Sequence, residues 1–371
     1  MSIGAEQIRV RVSNAFSDSD LPVSKVTVAY AVARDGYNAS GSPFIEEDSV
    51  QTLTFSGKES ILISNGGLAV SDPVNFHIAP ESILTMDMYF ETGQQSDRNF
   101  ITGHPGSRTA SFVSSGDYTG AGNFTDASTV ETLHWYFASA VEAWSPPHAS
   151  GFVIIGDSIT DGRGSDNNGN DRWPDLLLAR MQDYRPTKGI AVLNQAAGGN
   201  RVLRDGLGPN VVSRVDRDLL AQSGIKYAMI FEGVNDIGAA EPTVEVQTEI
   251  GDRLIQFFKQ TITRSHTFGI PMWGATITPF GCPNATIQPY SDPVRDQTRM
   301  RVNDWIRNSG AFDYVLDFDE VVRDPSNFTQ LNPSLSTGDC LHPNVSGYHE
   351  IADYFPLQLF QQFERGVSTF M

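Results

Sequence analysis

Phe152-Val153-Ile154-Ile155-Gly156-Asp157-Ser158-Ile159-Thr160-Asp161-Gly162 opens on an unbroken apolar run and closes on a turn flanked by glycines. An apolar run without polar alternation marks a strand buried on both faces. Runs of the same kind recur at 191–193, 227–231, 272–277 and 314–318. Helical patterns separate them, at 173–181, 212–221, 244–264 and 295–308, and a last one follows His342. Strand–helix alternation of this kind predicts a parallel sheet with helices on both faces. Ligands in such folds bind at the carboxyl ends of the strands.

Upstream the rhythm differs. Apolar or alternating runs at 8–12, 26–33, 50–55, 61–63, 74–78 and 83–90 are punctuated by Gly, Pro, Asn, Asp and Ser. No helical period of ten or more residues intervenes, so this part reads as an all-β sandwich or jelly-roll-like domain. Residues 92–126, rich in Gly, Ser, Thr and Asp, read as long loops. The stiff connection Trp144-Ser145-Pro146-Pro147-His148-Ala149-Ser150-Gly151 marks the change. The expected organisation is an N-terminal β-sandwich over 1–147 and an α/β domain over 148–371. Two domains suit a chain of 371 residues.

The chain carries 26 Lys and Arg against 44 Asp and Glu, a net charge of −18. Such a field repels phosphate backbones and anionic membranes, which argues against a nucleic-acid partner. No run approaches the length of a membrane span. Residues 1–7 lack the charged and apolar regions of a signal peptide. Cys282 and Cys340 are the only cysteines, too few for a disulfide framework or a Cys-based zinc site. The chemistry therefore has to be sought in the turns that follow the buried strands.

There the first strand runs into Gly156-Asp157-Ser158, the second into Asn194-Gln195-Ala196-Ala197-Gly198-Gly199-Asn200, and the third into Glu232-Gly233-Val234-Asn235-Asp236. Near the end lies Asp339-Cys340-Leu341-His342-Pro343. Each has a structural reading of its own: an N-capping Ser, a glycine turn, an Asn-Asp turn, a capping Asp. Together they offer a weak nucleophile, a base whose pKa lies near neutrality and a carboxylate three residues before it. No Gly-x-Ser-x-Gly elbow, P-loop, Rossmann fingerprint or His-Glu-x-x-His motif is present; Asp353 stands where the second His of that last motif belongs. No cofactor and no metal is expected.

The four blocks, in this order over about 151–350, resemble those of the SGNH (GDSL-type) hydrolase superfamily. The resemblance implies a flavodoxin-like three-layer α/β/α domain and a serine esterase acting through an acyl-enzyme. Residue by residue it implies Ser158 as nucleophile, His342 as base and Asp339 as its orienting carboxylate. It further implies an oxyanion hole formed by the N–H groups of Ser158 and Gly199 with the amide of Asn235. Arg9-Val10-Arg11-Val12-Ser13-Asn14, Ser71-Asp72-Pro73, Arg172-Trp173-Pro174-Asp175, Gly199-Asn200-Arg201-Val202-Leu203 and Val302-Asn303-Asp304-Trp305-Ile306-Arg307 are similar to segments of a narrower subgroup. Its members are arylesterases and acylhydrolases encoded beside xylanases. That similarity implies acetyl or other short acyl esters of carbohydrate as substrate.

Asp157, Trp173 and Phe280 are candidate pocket residues. Trp173 can stack on a sugar or, with Pro174 at a helix start, pack in the core. Phe280 lies after the fourth strand and can line an acyl or alcohol pocket. Cys282 and Cys340 fall in loops at the same rim; a disulfide there would tether the base loop, and two free thiols are the other reading. Sequons at Asn38, Asn123, Asn284, Asn327 and Asn344, with that disulfide, lean towards secretion. Two rival functions stand beside the esterase. One is a transacylase with the same triad, and the other a carbohydrate-binding protein with a vestigial hydrolase half.

Overall fold

The computed structural model describes residues 1–95 and 101–369. It divides into two compact units, Met1–His148 with Asn167–Asn170, and Ala149–Asp166 with Asp171–Met371. The excursion 167–170, read from sequence as part of the second domain, groups with the first. Asn168 explains it: its N–H donates to the Arg108 carbonyl at 2.9 Å and its Oδ1 accepts from the Ala110 N–H at 2.7 Å.

The first unit is built of antiparallel, sandwich-like sheets. Ala5–Ser13 pairs with Ala138–Ala143, Leu68–Val70 and Val74–Ile78, and Lys25–Tyr30 pairs with Gln51–Thr52 and Leu84–Tyr89. Ile8, Val10, Val12, Val26, Val28, Leu53, Phe55 and Phe76 form its core. Arg11, between Val10 and Val12 and so on the other face of the strand with Arg9, is also buried, and its guanidinium meets Glu142 at 3.1 Å. The run expected at 50–55 keeps only Gln51–Thr52 as strand. Of the expected loop region 92–126, residues 96–100 lie outside the described residues. The remainder contributes Ser111–Val113, which pairs with Val130–Thr132.

The second unit holds a five-stranded parallel sheet: β1 (Ser150–Gly156), β2 (Ile190–Asn194), β3 (Ile225–Phe231), β4 (Met272–Ala275) and β5 (Tyr314–Leu316), in the order β2-β1-β3-β4-β5. Side chains alternate across a strand, so each strand feeds two cores. Phe152 and Ile154 of β1 pack with Trp173, Leu177 and Met181 of α2 (Trp173–Asp183) and Tyr348 and Ile351 of α8 (Val345–Tyr354). Val153 and Ile155 pack on the other side with Leu254 and Phe258 of α5 (Val244–Thr267) and Val302 and Ile306 of α6 (Pro293–Asn308). The layers are therefore helix, sheet, helix. Asn303 of α6, fully buried, accepts from the Ile277 N–H and donates to the Ile277 carbonyl, both at 2.8 Å, and so pins the turn that leaves β4.

Strand order reverses beside β1, with β2 on one flank and β3 on the other. A crevice opens at the carboxyl ends of an open α/β sheet at such a point. Three of the four sequence blocks leave from there. Among the described residues no helix is long and apolar enough to cross a membrane.

Candidate active site

β1 ends at Gly156, where a side chain would strike Thr160. Asp157 caps α1 (Ser158–Asp161), its Oδ1 accepting the Ile159 N–H at 2.9 Å. Ser158 is thus the first residue of the helix rather than its cap, and its own N–H has no helical acceptor. Its hydroxyl turns to the loop before α8, where His342 Nε2 lies 2.8 Å from Ser158 Oγ. His342 Nδ1 lies 2.6 Å from Asp339 Oδ2, and Asp339 Oδ1 accepts the N–H groups of Leu341 at 2.9 Å and His342 at 2.8 Å. Burial works to raise the Asp339 carboxyl. The His342 ring and these two N–H donors outweigh it and hold the group well below the ordinary carboxylate range.

The second block brings Gly199 to the same rim. It sits at φ 69°, where a side chain is strained and would also collide with Leu207. Asp161 Oδ2 accepts the neighbouring Gly198 N–H at 2.9 Å and fixes the turn. Among the described residues no protein group accepts from the Gly199 N–H. Asn235, buried on α4 (Val234–Ala239), donates through Nδ2 to the Asn200 carbonyl at 2.9 Å, and its Oδ1 accepts from the Tyr290 hydroxyl at 3.1 Å. Gly199 and Asn235 thus leave the carboxyl ends of β2 and β3, the two strands that flank β1 and its Ser158.

Beneath this surface runs a buried polar layer. Asp236 takes the N–H groups of Val202 at 2.7 Å and Leu203 at 2.9 Å, tying the second block to the third. Arg214, on α3 (Val211–Val215), donates to Asn200 Oδ1 at 2.6 Å and to the Gln195 carbonyl at 2.7 Å; its guanidinium stands 3.7 Å from Glu232. Burial raises all three carboxyls of the layer. Asp157 rises to about 7, with Asp236 and Asp161 adding repulsion against the Ile159 hydrogen bond. Asp236 rises to about 6 against its two N–H donors. Glu232 lies well above the ordinary range, from burial and then the Asp157 charge, against Arg214.

The GDSL-like Lipase/Acylhydrolase family matches residues 154–350, more than half of the chain. The chain belongs to this family. It is a carboxylic ester hydrolase. Comparison with curated proteins gives no match. Among solved structures the GDSL domain is similar to a protein assigned to the G-D-S-L lipolytic family from Desulfitobacterium hafniense. That likeness has a TM-score of 0.41 and 22% identity, and covers 55% of this chain and 97% of that one. It is similar too to Axe2, an acetylxylan esterase from Geobacillus stearothermophilus, with a TM-score of 0.40, 20% identity, and coverage of 56% and 93%.

Two of the three pocket candidates fall away from the GDSL site surface. Trp173 is fully buried, its Nε1 donating to Thr160 Oγ1 at 3.2 Å and its ring against Phe318; it is a core residue with no face for a sugar. Phe280 is equally buried and packs beside Tyr290. Both are large aromatics beside buried strands, and closing the core takes them before a ligand can. Asp157, the third, lies beside Ser158 but faces inward. Cys282 and Cys340 form a disulfide with a Cα separation of 5.6 Å. Sequence reasoning missed Tyr290, Arg214 and the carboxylate role of Asp236. A Tyr in a loop carries no periodic signal, and an Arg on an amphipathic helix reads as a solvated one.

Proposed function

We propose that Ser158, His342 and Asp339 form the catalytic triad of this ester hydrolase. The supporting observation is the unbroken line from Ser158 Oγ to His342 Nε2 at 2.8 Å and from His342 Nδ1 to Asp339 Oδ2 at 2.6 Å. Ser158 Oγ attacks the ester carbonyl while His342 takes its proton. Asp339, held ionised, keeps the other ring nitrogen protonated and stabilises the imidazolium. The tetrahedral oxyanion is received by the N–H groups of Ser158 and Gly199 and by Asn235 Nδ2. His342 then returns the proton to the leaving alcohol. Water, activated by the same ring, cleaves the acyl-enzyme and frees Ser158.

The substrate class we propose is short acyl, with acetyl first, on carbohydrate or a similar alcohol. It rests on the resemblance of Arg172-Trp173-Pro174-Asp175 and Gly199-Asn200-Arg201-Val202-Leu203 to the subgroup encoded beside xylanases. Ser158→Ala is expected to lower kcat on p-nitrophenyl acetate by at least about 10³-fold while the melting temperature holds. Turnover at the wild-type rate would sink the nucleophile assignment. Acetylated xylo-oligosaccharides and p-nitrophenyl esters of increasing chain length, assayed side by side, test the substrate class separately.

A further inference from the structure

The oxyanion-hole role of Asn235 depends on which way its amide is turned. The two ends of a carboxamide are nearly the same size, and only hydrogen bonding separates them. Here the oxygen end is engaged by a donor that comes from outside the four sequence blocks. The Tyr290 hydroxyl donates to Asn235 Oδ1 at 3.1 Å, and Nδ2 is left to face the Asn200 carbonyl at 2.9 Å, with no acceptor for its second hydrogen among the described residues. Reversing the amide would set its oxygen against that carbonyl, which has no hydrogen to give, and would require the Tyr290 hydroxyl to stop donating and accept from the nitrogen instead.

Tyr290 is itself held firmly. Its ring lies on Gly238, one helical turn beyond Asn235 on α4, where any side chain would displace it. Its N–H donates to Gln288 Oε1 at 3.1 Å, and Gln288 Nε2 reaches the Asp339 carbonyl at 3.2 Å. Ser291 Oγ joins the Cys282 N–H at 2.8 Å and the Cys282 carbonyl at 3.1 Å, and Cys282 is bridged to Cys340 beside Asp339. One segment, 282–291, therefore touches the amide on one side and the base loop on the other. Burial raises the Tyr290 phenol, so the hydroxyl keeps its proton over the neutral range.

We propose that Tyr290 is a positioning residue for the oxyanion hole, holding the Asn235 amide so that Nδ2 faces the reacting carbonyl. The proposal rests on the triad reading above and adds a residue to it. Tyr290→Phe removes the hydroxyl and keeps the ring. It is expected to lower kcat on p-nitrophenyl acetate about tenfold, the equivalent of one ordinary hydrogen bond, with KM within about twofold. In an Asn235→Ala background the same change is expected to alter kcat by less than about twofold, because there is no amide left to orient.

An unchanged kcat in Tyr290→Phe overturns the proposal, as does an equal loss in the Asn235→Ala background. A rise in KM alone also overturns it, by making Tyr290 a substrate contact. Thermal melts matched to wild type keep the loss from being one of folding. Ser158→Ala is run alongside. Its inactivity with a silent Tyr290→Phe rejects this proposal alone, whereas its retained activity rejects the triad and the proposal with it.

Discussion

At the scale of single residues the site is a set of polar groups whose environment decides their state. Asp157 shows it best. Its carboxyl lies near 7 in the folded protein against an ordinary 3.8, chiefly from burial. Between those values the folded state holds a proton that the unfolded chain has released. The contribution of this one group to stability is therefore fully present below about pH 4 and is lost as pH rises towards 7. Asp157→Asn keeps an oxygen to accept the Ile159 N–H and has no proton to lose. Urea midpoints at pH 4.5 and 7.5 should show the wild type losing on the order of 2–4 kcal/mol more than the variant across that interval. Parallel pH curves would remove Asp157 from the account. Ser158, Gly199 and Asn235 stand out in the sequence because each follows closely on a buried strand, in a fixed order, and Asp339 and His342 because of their three-residue spacing. Tyr290 does not, because its meaning comes from an amide 55 positions away.

At the scale of elements, the segment that carries Cys282 is anchored across 58 residues to the loop of Asp339 and His342. Closing a loop of that length restricts the unfolded chain, and removing the bridge should cost about 2–4 kcal/mol. Cys282→Ala with Cys340→Ala should therefore unfold at lower urea and turn over p-nitrophenyl acetate several-fold more slowly. Slower turnover follows because the base loop loses one anchor; a lower midpoint with full activity would confine the bridge to stability. Elements buried on both faces, β1 and β3 above all, were legible as unbroken apolar runs. Ala138–Ala143 was not. Ala-Ser-Ala-Val-Glu-Ala has little strand preference of its own, and pairing with Ala5–Ser13 makes it a strand. Helix α3 was expected over 212–221, but it runs from Val211 to Val215 and continues as a π-turn through Asp216–Leu220. Hydrophobic period alone does not separate those two windings.

For the whole molecule, charge makes its own prediction. A chain of net charge −18 repels anionic esters at a distance, and salt screens that repulsion. Raising sodium chloride from about 0.01 to 0.3 M should increase kcat/KM a few-fold for acetylsalicylate and leave neutral p-nitrophenyl acetate nearly unchanged. Equal responses would show that the field does not reach the site. The two fold classes were legible from rhythm, since strand–helix alternation and strand-only patterns differ over tens of residues. The excursion 167–170 was not, because Asn-Asn-Gly-Asn states only that a turn is present and not which unit it serves. The alternation along β1 and β3 has an evolutionary corollary. Phe152, Ile154, Tyr227, Met229 and Phe231 answer to one helical layer, and Val153, Ile155, Ala228 and Ile230 to the other. Volume changes in one layer are compensated within that layer, so descendants of this chain should drift as two separately covarying sets of positions. The strand that delivers Ser158 is a seam between them, where an inserted or deleted residue would exchange both inheritances at once.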